Sequence, residues 1–352
     1  MIDKLACSIY TLGADAAEAA EAAGYESGWT SESYGTDSFT PLAWWGAKTR
    51  TMRLGTGVAQ MAARAPTATA MAAMTLDRLS GGRVVVGLGL SGPQVVEGWY
   101  GMPFERPLRW TREYIAIMRD TFARERVAYD GEIYKLPVTG GTGLGRSIRP
   151  GIRDARTDIP IHLGAEGPKN ISLAAEIADG WLPTNFSPEF DHWYRERLEI
   201  GFSRRPGGRP ENFEVAPGVA VAFGPDVETA ADELRPGIAF QVAANGAEGM
   251  NFHYNSIARL GFEEPCKEIV ARFKARDRAG MAAAVPTEMV EAIALVGPPE
   301  KVQRDLETRW HDCVATTLIA RTSVHHLPML ARVFAASRAA CGAPVASRAE
   351  NG

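Results

Sequence analysis

The segment RLGTGVAQMAARAPTATAMAAMTLDRLSGGRVVVGLGLSG, residues 53–92, decides which fold the sequence predicts. Two short apolar runs flank an Ala-rich stretch of helical period, a pattern typical of a strand, a helix and a second strand in a parallel sheet. The run VVVGLGL lacks polar alternation, as expected for a strand that is buried on both faces. Pro66 suits the first turn of the helix, and Gly81 with Gly82 suits its end.

The same alternation of strand-like and helix-like segments continues along most of the 352-residue chain. About eight such units indicate an α/β fold, and we predict a (β/α)8 TIM barrel with insertions. A doubly wound sheet stays open as the alternative, because periodicity does not separate the two. We predict one domain over residues 1–342, with insertions at about 126–157 and 243–285, and a flexible tail over residues 343–352. The first insertion forms either a lid over the barrel or a dimer surface.

Charge and composition exclude several functions. The net charge of −4, with no basic run longer than Arg204-Arg205, argues against a nucleic-acid partner. No apolar run reaches the length of about 18 residues that a membrane helix needs, so we expect no membrane partner and a cytoplasmic location. The four widely spaced cysteines are expected to be reduced thiols. His253 and the pair His325-His326 lack the spacing of metal ligands, so we predict no metal site.

Gly87, Gly89 and Gly92 form a G-x-G-x-x-G pattern after a predicted strand. A dinucleotide fingerprint belongs to the first βα turn and opens a long helix, whereas this pattern follows three earlier units and runs into Pro93. Two other interpretations are favoured. The glycines either let strand and loop pack closely or bring backbone N–H groups to a cofactor at the carboxyl end of a barrel.

A second glycine turn, HLGAEGPKN at 162–170, lies between a predicted strand and a helix that begins at about Lys169. Free N–H groups at the start of a helix favour an anion, so this turn is a candidate phosphate site. An ordinary βα loop is the alternative. Thr184 ends the next predicted strand and offers a hydroxyl to the same ligand.

Further polar side chains follow the first three predicted strands, and the ends of barrel strands converge on one cavity. They are Tyr10 and Thr11, then Glu32 and Ser33, then Gln60 and Arg64. Glu32 has several interpretations: a proton donor, an anchor for a bound ring, a solvated loop carboxylate, or the ion-pair partner of Arg64.

Residues 51–101, together with GAEGPKNISLAAEIADGWLP (164–183) and VPTEMVEAIALVGPPEKV (285–302), resemble the luciferase-like monooxygenase superfamily. The resemblance is closest to its coenzyme F420-dependent branch, and within it to the methylenetetrahydromethanopterin-reductase-like members. It extends from the first strand to about residue 320. It implies a bacterial-luciferase-like barrel that binds the 5-deazaflavin F420 at its carboxyl-terminal mouth, and a homodimer, since members commonly form dimers.

The resemblance also implies how the chain would hold the cofactor. A bulge in the third strand, with a non-prolyl cis peptide at Gly57-Val58, would press against one face of the ring. The phosphate-bearing arm would follow the two glycine turns. The residues assigned to the cofactor in this way are Gly57, Val58, Gln60, Arg64, Ser91, Gly92, Ala165, Glu166, Gly167, Pro168, Lys169 and Thr184.

The chain departs from one pattern of the superfamily. Sugar-phosphate and alcohol dehydrogenases carry an Asp-His pair after strand two, whereas Glu32 and Ser33 stand at the matching positions here. Without that base, the resemblance favours reduction of a C=C or C=N bond by hydride from reduced F420. The catalytic acid would then be Glu32, Tyr10 or Tyr34.

A small, partly apolar organic substrate is expected beside the cofactor. Its pocket would be lined by Trp44, Trp99, Tyr100, Trp181 and His253, although tryptophans are also ordinary core residues. Two other functions stay open. One is an FMN-dependent monooxygenase of the same superfamily that uses O2, and the other is a non-catalytic barrel that binds a cofactor.

Overall fold

The parallel strands predicted from the sequence form one sheet in the computed structural model, which describes residues 2–9, 13–32, 34–244 and 250–342. The strands of this sheet are β1 (Lys4–Ser8), β2 (Ser27–Thr30), β3 (Arg53–Thr56), β4 (Ala59–Gln60), β5 (Val84–Gly89), β8 (Ile161–Gly164), β9 (Gly180–Leu182), β10 (Glu214–Val215), β11 (Gly218–Phe223), β12 (Ala294–Gly297) and β13 (Thr317–Arg321). Two further strands, β6 (Tyr129–Asp130) and β7 (Lys135–Leu136), form an antiparallel hairpin. The predicted flexible tail at 343–352 lies outside the described residues.

The sheet closes on itself, and two of its barrel positions are each occupied by two short strands in line. β10 and β11 are interrupted only by Ala216-Pro217; β10 pairs with β9, and β11 pairs with β13. The Ala216 N–H donates to Trp181 at 2.9 Å, and the Ile319 N–H donates to Pro217 at 3.0 Å, so the interruption is bridged on both sides. Likewise β3 and β4 are two halves of one strand beside β5. The described strands therefore form the predicted (β/α)8 barrel, with β12 added at the outer edge of β11.

Helices follow the strands and cover the ring. They are α1 (Ala14–Ala22), α2 (Phe39–Gly46), α3 (Pro66–Ser80), α4 (Pro93–Gly98), α5 (Pro107–Phe122), α6 (Pro168–Ile177), α7 (Asp191–Phe202), α8 (Val227–Ala244), α9 (Phe252–Ile257), α10 (Glu263–Lys274), α11 (Arg278–Ala283), α12 (Thr287–Ile293), α13 (Pro299–Glu307) and α14 (Leu327–Ala340). Pro66 begins α3, and the left-handed Gly81 ends it, as the sequence predicts. No helix in the described ranges is both long and apolar enough to cross a bilayer.

The core has two layers, one outside the ring of strands and one within it. Large side chains such as Trp45, Trp110 and Trp310 fill the space between strands and helices. The lumen is filled by a smaller cluster around the fully buried Trp29. The indole needs space, since a Cβ atom at Gly55 would lie 2.3 Å from its ring. Glycine is therefore required there, and the lumen is a packed core that leaves only its two ends for polar groups.

The two predicted insertions differ in structure. Residues 126–157 contain the hairpin of β6 and β7 and otherwise mainly loops. The second insertion, predicted at 243–285, contains α9, α10 and α11, while residues 245–249 lie outside the described ranges. These helices share a second apolar cluster with α8, α12 and β12. The insertion is thus a helical unit beside the barrel, and α9 extends over the carboxyl ends of the strands.

Candidate active site

The floor of the barrel mouth is formed by the bulge between β3 and β4. The Gly57-Val58 peptide is cis, so this prediction is confirmed. The bulge is attached to the neighbouring strand, since the Gly57 N–H donates to Thr30 at 2.5 Å and the Glu32 N–H donates to Val58 at 3.1 Å. The Val58 side chain lies across the mouth, at the top of the lumen cluster.

Gly89 and Gly164 leave space for Val58. A Cβ atom at Gly89 would lie 2.4 Å from Cγ2 of Val58, and one at Gly164 would lie 3.0 Å from Cγ1. At Gly87 a Cβ atom would meet the Thr56 carbonyl at 2.0 Å. Gly87 and Gly89 belong to β5 itself, so for these two glycines close packing is the correct interpretation, and donation to a cofactor is not. The floor of the mouth therefore presents the aliphatic side chain of Val58 between two glycines.

Gln60 carries an unsatisfied acceptor beside this floor. Its Nε2 donates to the Glu32 carbonyl at 3.0 Å, whereas its buried Oε1 has no partner within the described residues. The amide orientation is fixed, because a flipped amide would place Oε1 against another carbonyl oxygen. A buried acceptor without a donor is costly unless a ligand supplies one. A planar heterocycle with a ring N–H fits this position.

The structure corrects the prediction that Glu32 is the catalytic acid. Its buried carboxylate accepts from the Arg64 guanidinium at 2.7 and 2.8 Å and from the Gln60 N–H at 2.8 Å. Both carboxylate oxygens are thus engaged by donors of the chain itself, a contact set that favours a structural role for Glu32. Arg64 also lies 3.6 Å from Asp37, so its charge is balanced on two sides. Glu32 is therefore an anchor that joins the ends of β2 and β4.

Aromatic residues from two loops meet above this ion pair. Tyr34 follows β2 and Trp99 follows α4; their ring centroids are 6.5 Å apart, and each residue is 62% exposed. Tyr100 lies close enough to feel the charges of Glu32 and Arg64, and burial together with Glu32 raises the pKa of its phenol. Three of the predicted substrate and acid residues are thus brought together at one side of the mouth.

The other two tryptophans that were predicted to line the substrate pocket, Trp44 and Trp181, lie away from the mouth. Trp44 is 59% exposed on α2, among the helices that cover the outside of the ring, and it lines no described cavity. Trp181 is 1% exposed; its Nε1 donates to Ala165 at 2.7 Å, and its ring packs against Phe186 and Tyr194. Trp181 is therefore core, because its side chain points from β9 into the outer layer rather than into the lumen. The prediction that it contacts substrate is wrong.

His253 does lie over the mouth, on α9. This helix contacts the barrel through Ser256, which accepts from Asn185 Nδ2 at 2.8 Å. His253 Nδ1 is 3.0 Å from Gln241 Nε2, so one ring nitrogen is already engaged. Burial lowers the pKa of His253 to about 4, and nearby Arg321 acts in the same direction. The imidazole is therefore neutral at pH 7.

The two predicted anion turns follow β5 and β8 at the mouth. Ser91 has a left-handed φ of 61° and precedes Gly92, the N-cap of α4. Gly167 is the N-cap of α6, without a side-chain cap, and Pro168 opens that helix. The first N–H groups of α6 are thus free of a capping side chain. Lys169 is exposed in the first turn of α6.

Glu166 links two of these turns. The Thr184 N–H donates to its Oε1 at 2.5 Å, and Arg259 donates to its carbonyl at 3.5 Å. Burial raises the pKa of Glu166 to about 7, against the opposing effect of the Thr184 hydrogen bonds. The carboxyl group therefore titrates near pH 7, and a neighbouring anion would favour its protonated form.

Some predicted residues are not described, and one functional candidate was missed. Tyr10, Thr11 and Ser33 lie outside the described residues. The missed candidate is Arg321, the last residue of β13, which is the last strand of the barrel. Alternate residues of β13 face the lumen, and a period of two from Ile319 places Arg321 at the mouth. Counting that period in the run TLIAR would have identified it.

Comparisons with known proteins identify the family of this chain. A family model described as luciferase-like monooxygenase matches residues 11–317. A Mycobacterium tuberculosis protein, provisionally named a coenzyme F420-dependent oxidoreductase, is 45% identical over 87% of this chain and 89% of its own length. The 5,10-methylenetetrahydromethanopterin reductase of Archaeoglobus fulgidus is 31% identical over 80% of this chain and 81% of its own.

A solved structure shares the fold. The coenzyme F420-dependent tetrahydromethanopterin reductase of Methanopyrus kandleri superposes with a TM-score of 0.77, covering 94% of this chain and 98% of that one at 21% identity. At this identity the likeness concerns the barrel and its connections, not the residues of the site.

Proposed function

Because this chain belongs to the luciferase-like monooxygenase family, we propose that it is an F420-dependent oxidoreductase that reduces a C=C or C=N bond of a small organic molecule. The observation that carries the proposal is the floor of the mouth, where Val58 lies between two glycines and the buried Oε1 of Gln60 has no donor among the described residues. When bound in reduced form, F420 supplies a hydride to one atom of the double bond, and the other atom takes a proton.

The described residues divide the work of holding the cofactor. Gly57 and Val58 provide the surface for one ring face, and Gln60 accepts from a ring N–H at its edge. The turns at Ser91-Gly92 and at 165–168 provide backbone N–H groups for the anionic arm, with Lys169 and Thr184 beside them. Trp29 beneath the floor excludes water from the lumen side.

The substrate would lie on the side of the floor that faces Tyr34, Trp99 and Tyr100. Tyr34 is the residue we assign as proton donor, because its phenol is exposed at the mouth while the Glu32 carboxylate is occupied by Arg64. Arg64 and Glu32 fix the bulge from below and do not move a proton. Tyr10, also predicted as an acid, lies outside the described residues.

A homodimer remains a proposal as well. Trp44 on α2 and Met71 with Leu79 on α3 expose large apolar side chains, at 59%, 54% and 76% of their area. Apolar groups exposed together on packed helices are typical of subunit contacts. Sedimentation of the wild type against Trp44→Glu tests this directly: we expect a dimer and a shift toward monomer, and an unshifted monomer in both samples contradicts it.

Anaerobic turnover tests the proposed reaction. The protein is mixed with reduced F420 and a panel of enones, imines and dehydro-amino acids, and the oxidised coenzyme is followed by its absorbance. We expect acceptor-dependent oxidation without O2. A protein that retains FMN and consumes O2 supports the monooxygenase alternative, and F420 binding with no acceptor in the panel supports the carrier alternative.

A further inference from the structure

Arg321 ends β13 inside the lumen, one layer above Ile319. The neighbouring strand leaves space for its guanidinium. On the neighbouring strand, a Cβ atom at Gly218 would lie 2.4 Å from Nη2, 2.7 Å from Cζ and 2.7 Å from Nε of Arg321. The missing side chain at Gly218, which opens β11, therefore leaves the space that the Arg321 guanidinium occupies.

The Arg321 side chain makes no hydrogen bond or ion pair with any residue of the described ranges. Other arginines near the mouth differ. Arg64 is paired with Glu32 and Asp37, and Arg259 lies 4.6 Å from the centroid of Trp193 and donates to the Glu166 carbonyl. A guanidinium that lies partly inside a protein without an acid is unfavourable, unless water or a ligand supplies acceptors.

The groups that face Arg321 do not neutralise it. His253 on α9 is a neutral imidazole at pH 7, since its pKa is lowered. Glu166 is near enough for Arg321 to affect its pKa, but burial keeps that pKa near 7, so the carboxyl is only partly charged. The Glu166 carboxyl already accepts from Thr184. The five N–H donors of a guanidinium thus remain available for a planar, negatively charged oxygen group.

We propose that Arg321 is the anion receptor of the barrel mouth, binding either a phosphate of the cofactor arm or a carboxylate of the substrate. This rests on the proposed function only in the identity of the first source. The role is binding, because the geometry places guanidinium donors at the mouth, and no group in the described ranges is positioned to exchange a proton with them. Arg321 therefore complements the N–H groups of the two glycine turns with a full positive charge.

Three variants separate charge from position. Arg321→Gln removes the charge, Arg321→Lys keeps it without the planar fork, and Gly218→Ala displaces the unchanged guanidinium. Dissociation constants are measured for F420 and for the deazaflavin that ends at its ribityl chain and lacks the phosphate. Cinnamate and cinnamamide, which share a shape and differ in charge, test the substrate source. Thermal unfolding of each variant establishes that it is folded.

We expect Arg321→Gln to weaken one anionic ligand at least tenfold, with smaller losses in Arg321→Lys and Gly218→Ala. Loss of F420 binding with unchanged binding of the phosphate-free deazaflavin assigns the cofactor arm. Loss of cinnamate binding with unchanged cinnamamide binding assigns the substrate. If both anions bind within twofold of wild type in Arg321→Gln, the proposal is overturned. A wild type that binds no F420 refutes the proposed function, while cinnamate against cinnamamide still decides the role of Arg321.

Discussion

The two ends of the lumen contain similar polar residues in opposite states. At the amino-terminal end, Arg53 donates to Glu214 at 3.2 and 2.9 Å, and Thr317 donates to the same carboxylate at 2.5 Å. At the mouth, Arg321 has no acidic partner and Gln60 Oε1 has no donor among the residues that the structure describes. The lower end is closed by its own side chains, apart from Nδ1 of His162, and the upper end is left open. In a barrel, unsatisfied groups at the carboxyl-terminal end mark where ligands bind.

Protonation differs between the ends as well. Burial alone would raise the pKa of Glu214, but facing charges and hydrogen bonds lower it to about 2. Burial lowers the pKa of His162 to about 4, so its ring is neutral at pH 7, and the cation that stabilises the Glu214 carboxylate there is Arg53. At the mouth the Glu166 pKa moves in the other direction, to about 7. At pH 7 the Glu214 carboxylate of the closed end stays charged, whereas the Glu166 carboxyl of the open end can change its protonation when a ligand binds.

Breaking the closed end is expected to have the largest effect on stability. Glu214→Gln leaves Arg53 without its acid inside the barrel, and we expect a loss of about 3 kcal/mol in the free energy of unfolding. Chemical denaturation measures it. The matched control is Glu132→Gln, which removes the acid of the exposed pair with Arg106 and should cost less than about 1 kcal/mol. Equal losses in the two variants would remove the distinction.

Filling the floor of the mouth comes next. Gly89→Ala places a methyl group 2.4 Å from Val58 Cγ2, so the Val58 side chain or β5 must shift, at a cost of about 2 kcal/mol. We expect the F420 dissociation constant, measured by titration, to rise more than about tenfold. Gly237→Ala in α8 meets nothing within 4 Å and serves as the control. Unchanged F420 affinity in Gly89→Ala would show that Val58 is not the platform.

A smaller effect is expected at Glu32. If Glu32 is an anchor, Glu32→Gln keeps an acceptor for the Gln60 N–H, and we expect kcat to fall less than about tenfold. Loss of a catalytic acid would lower kcat about 100- to 10,000-fold. Tyr34→Phe should give the larger loss of kcat. Steady-state kinetics of both variants decide the assignment, and the reverse order would restore Glu32 as the acid.

A further expected effect concerns the pH dependence of stability. A carboxyl whose pKa is raised by folding destabilises the protein as it ionises, so Glu166 should cost stability as pH rises from about 4.3, its ordinary value, to about 7. Glu166→Gln does not titrate, and its stability relative to wild type should therefore increase between pH 5 and pH 8. For Glu214→Gln the difference from wild type should stay constant over that range, because the Glu214 pKa lies near 2. If the difference in stability between Glu166→Gln and wild type did not change with pH, the raised pKa of the buried Glu166 carboxyl would be contradicted.

Local sequence patterns predicted the alternating strands and helices and part of the site, but they did not separate a barrel from a doubly wound sheet. The apolar run of β5, the Pro66 start of α3 and the positions of Glu32, Gln60 and Arg64 after their strands follow from periodicity and chain order. The cis peptide at Gly57-Val58 followed from family resemblance rather than from the residues themselves.

The errors have a common physical cause, which is side-chain direction. Trp181 and Trp44 were assigned to the pocket by residue type, but strand pleat and helix phase turn them away from the mouth. The place of Arg321 at the mouth follows from the alternation along β13, whereas the space for its guanidinium depends on the missing side chain at Gly218, more than a hundred positions earlier in the chain. Such pairings depend on barrel register, which one sequence does not specify.

A crystal structure of the protein with F420 tests the central claim most directly. The account predicts the deazaflavin ring against Val58, with a ring N–H within about 3 Å of Gln60 Oε1 and the phosphate arm toward Gly92 and Gly167. A saturating soak that leaves this floor empty, or places the ring elsewhere on the molecule, would contradict it.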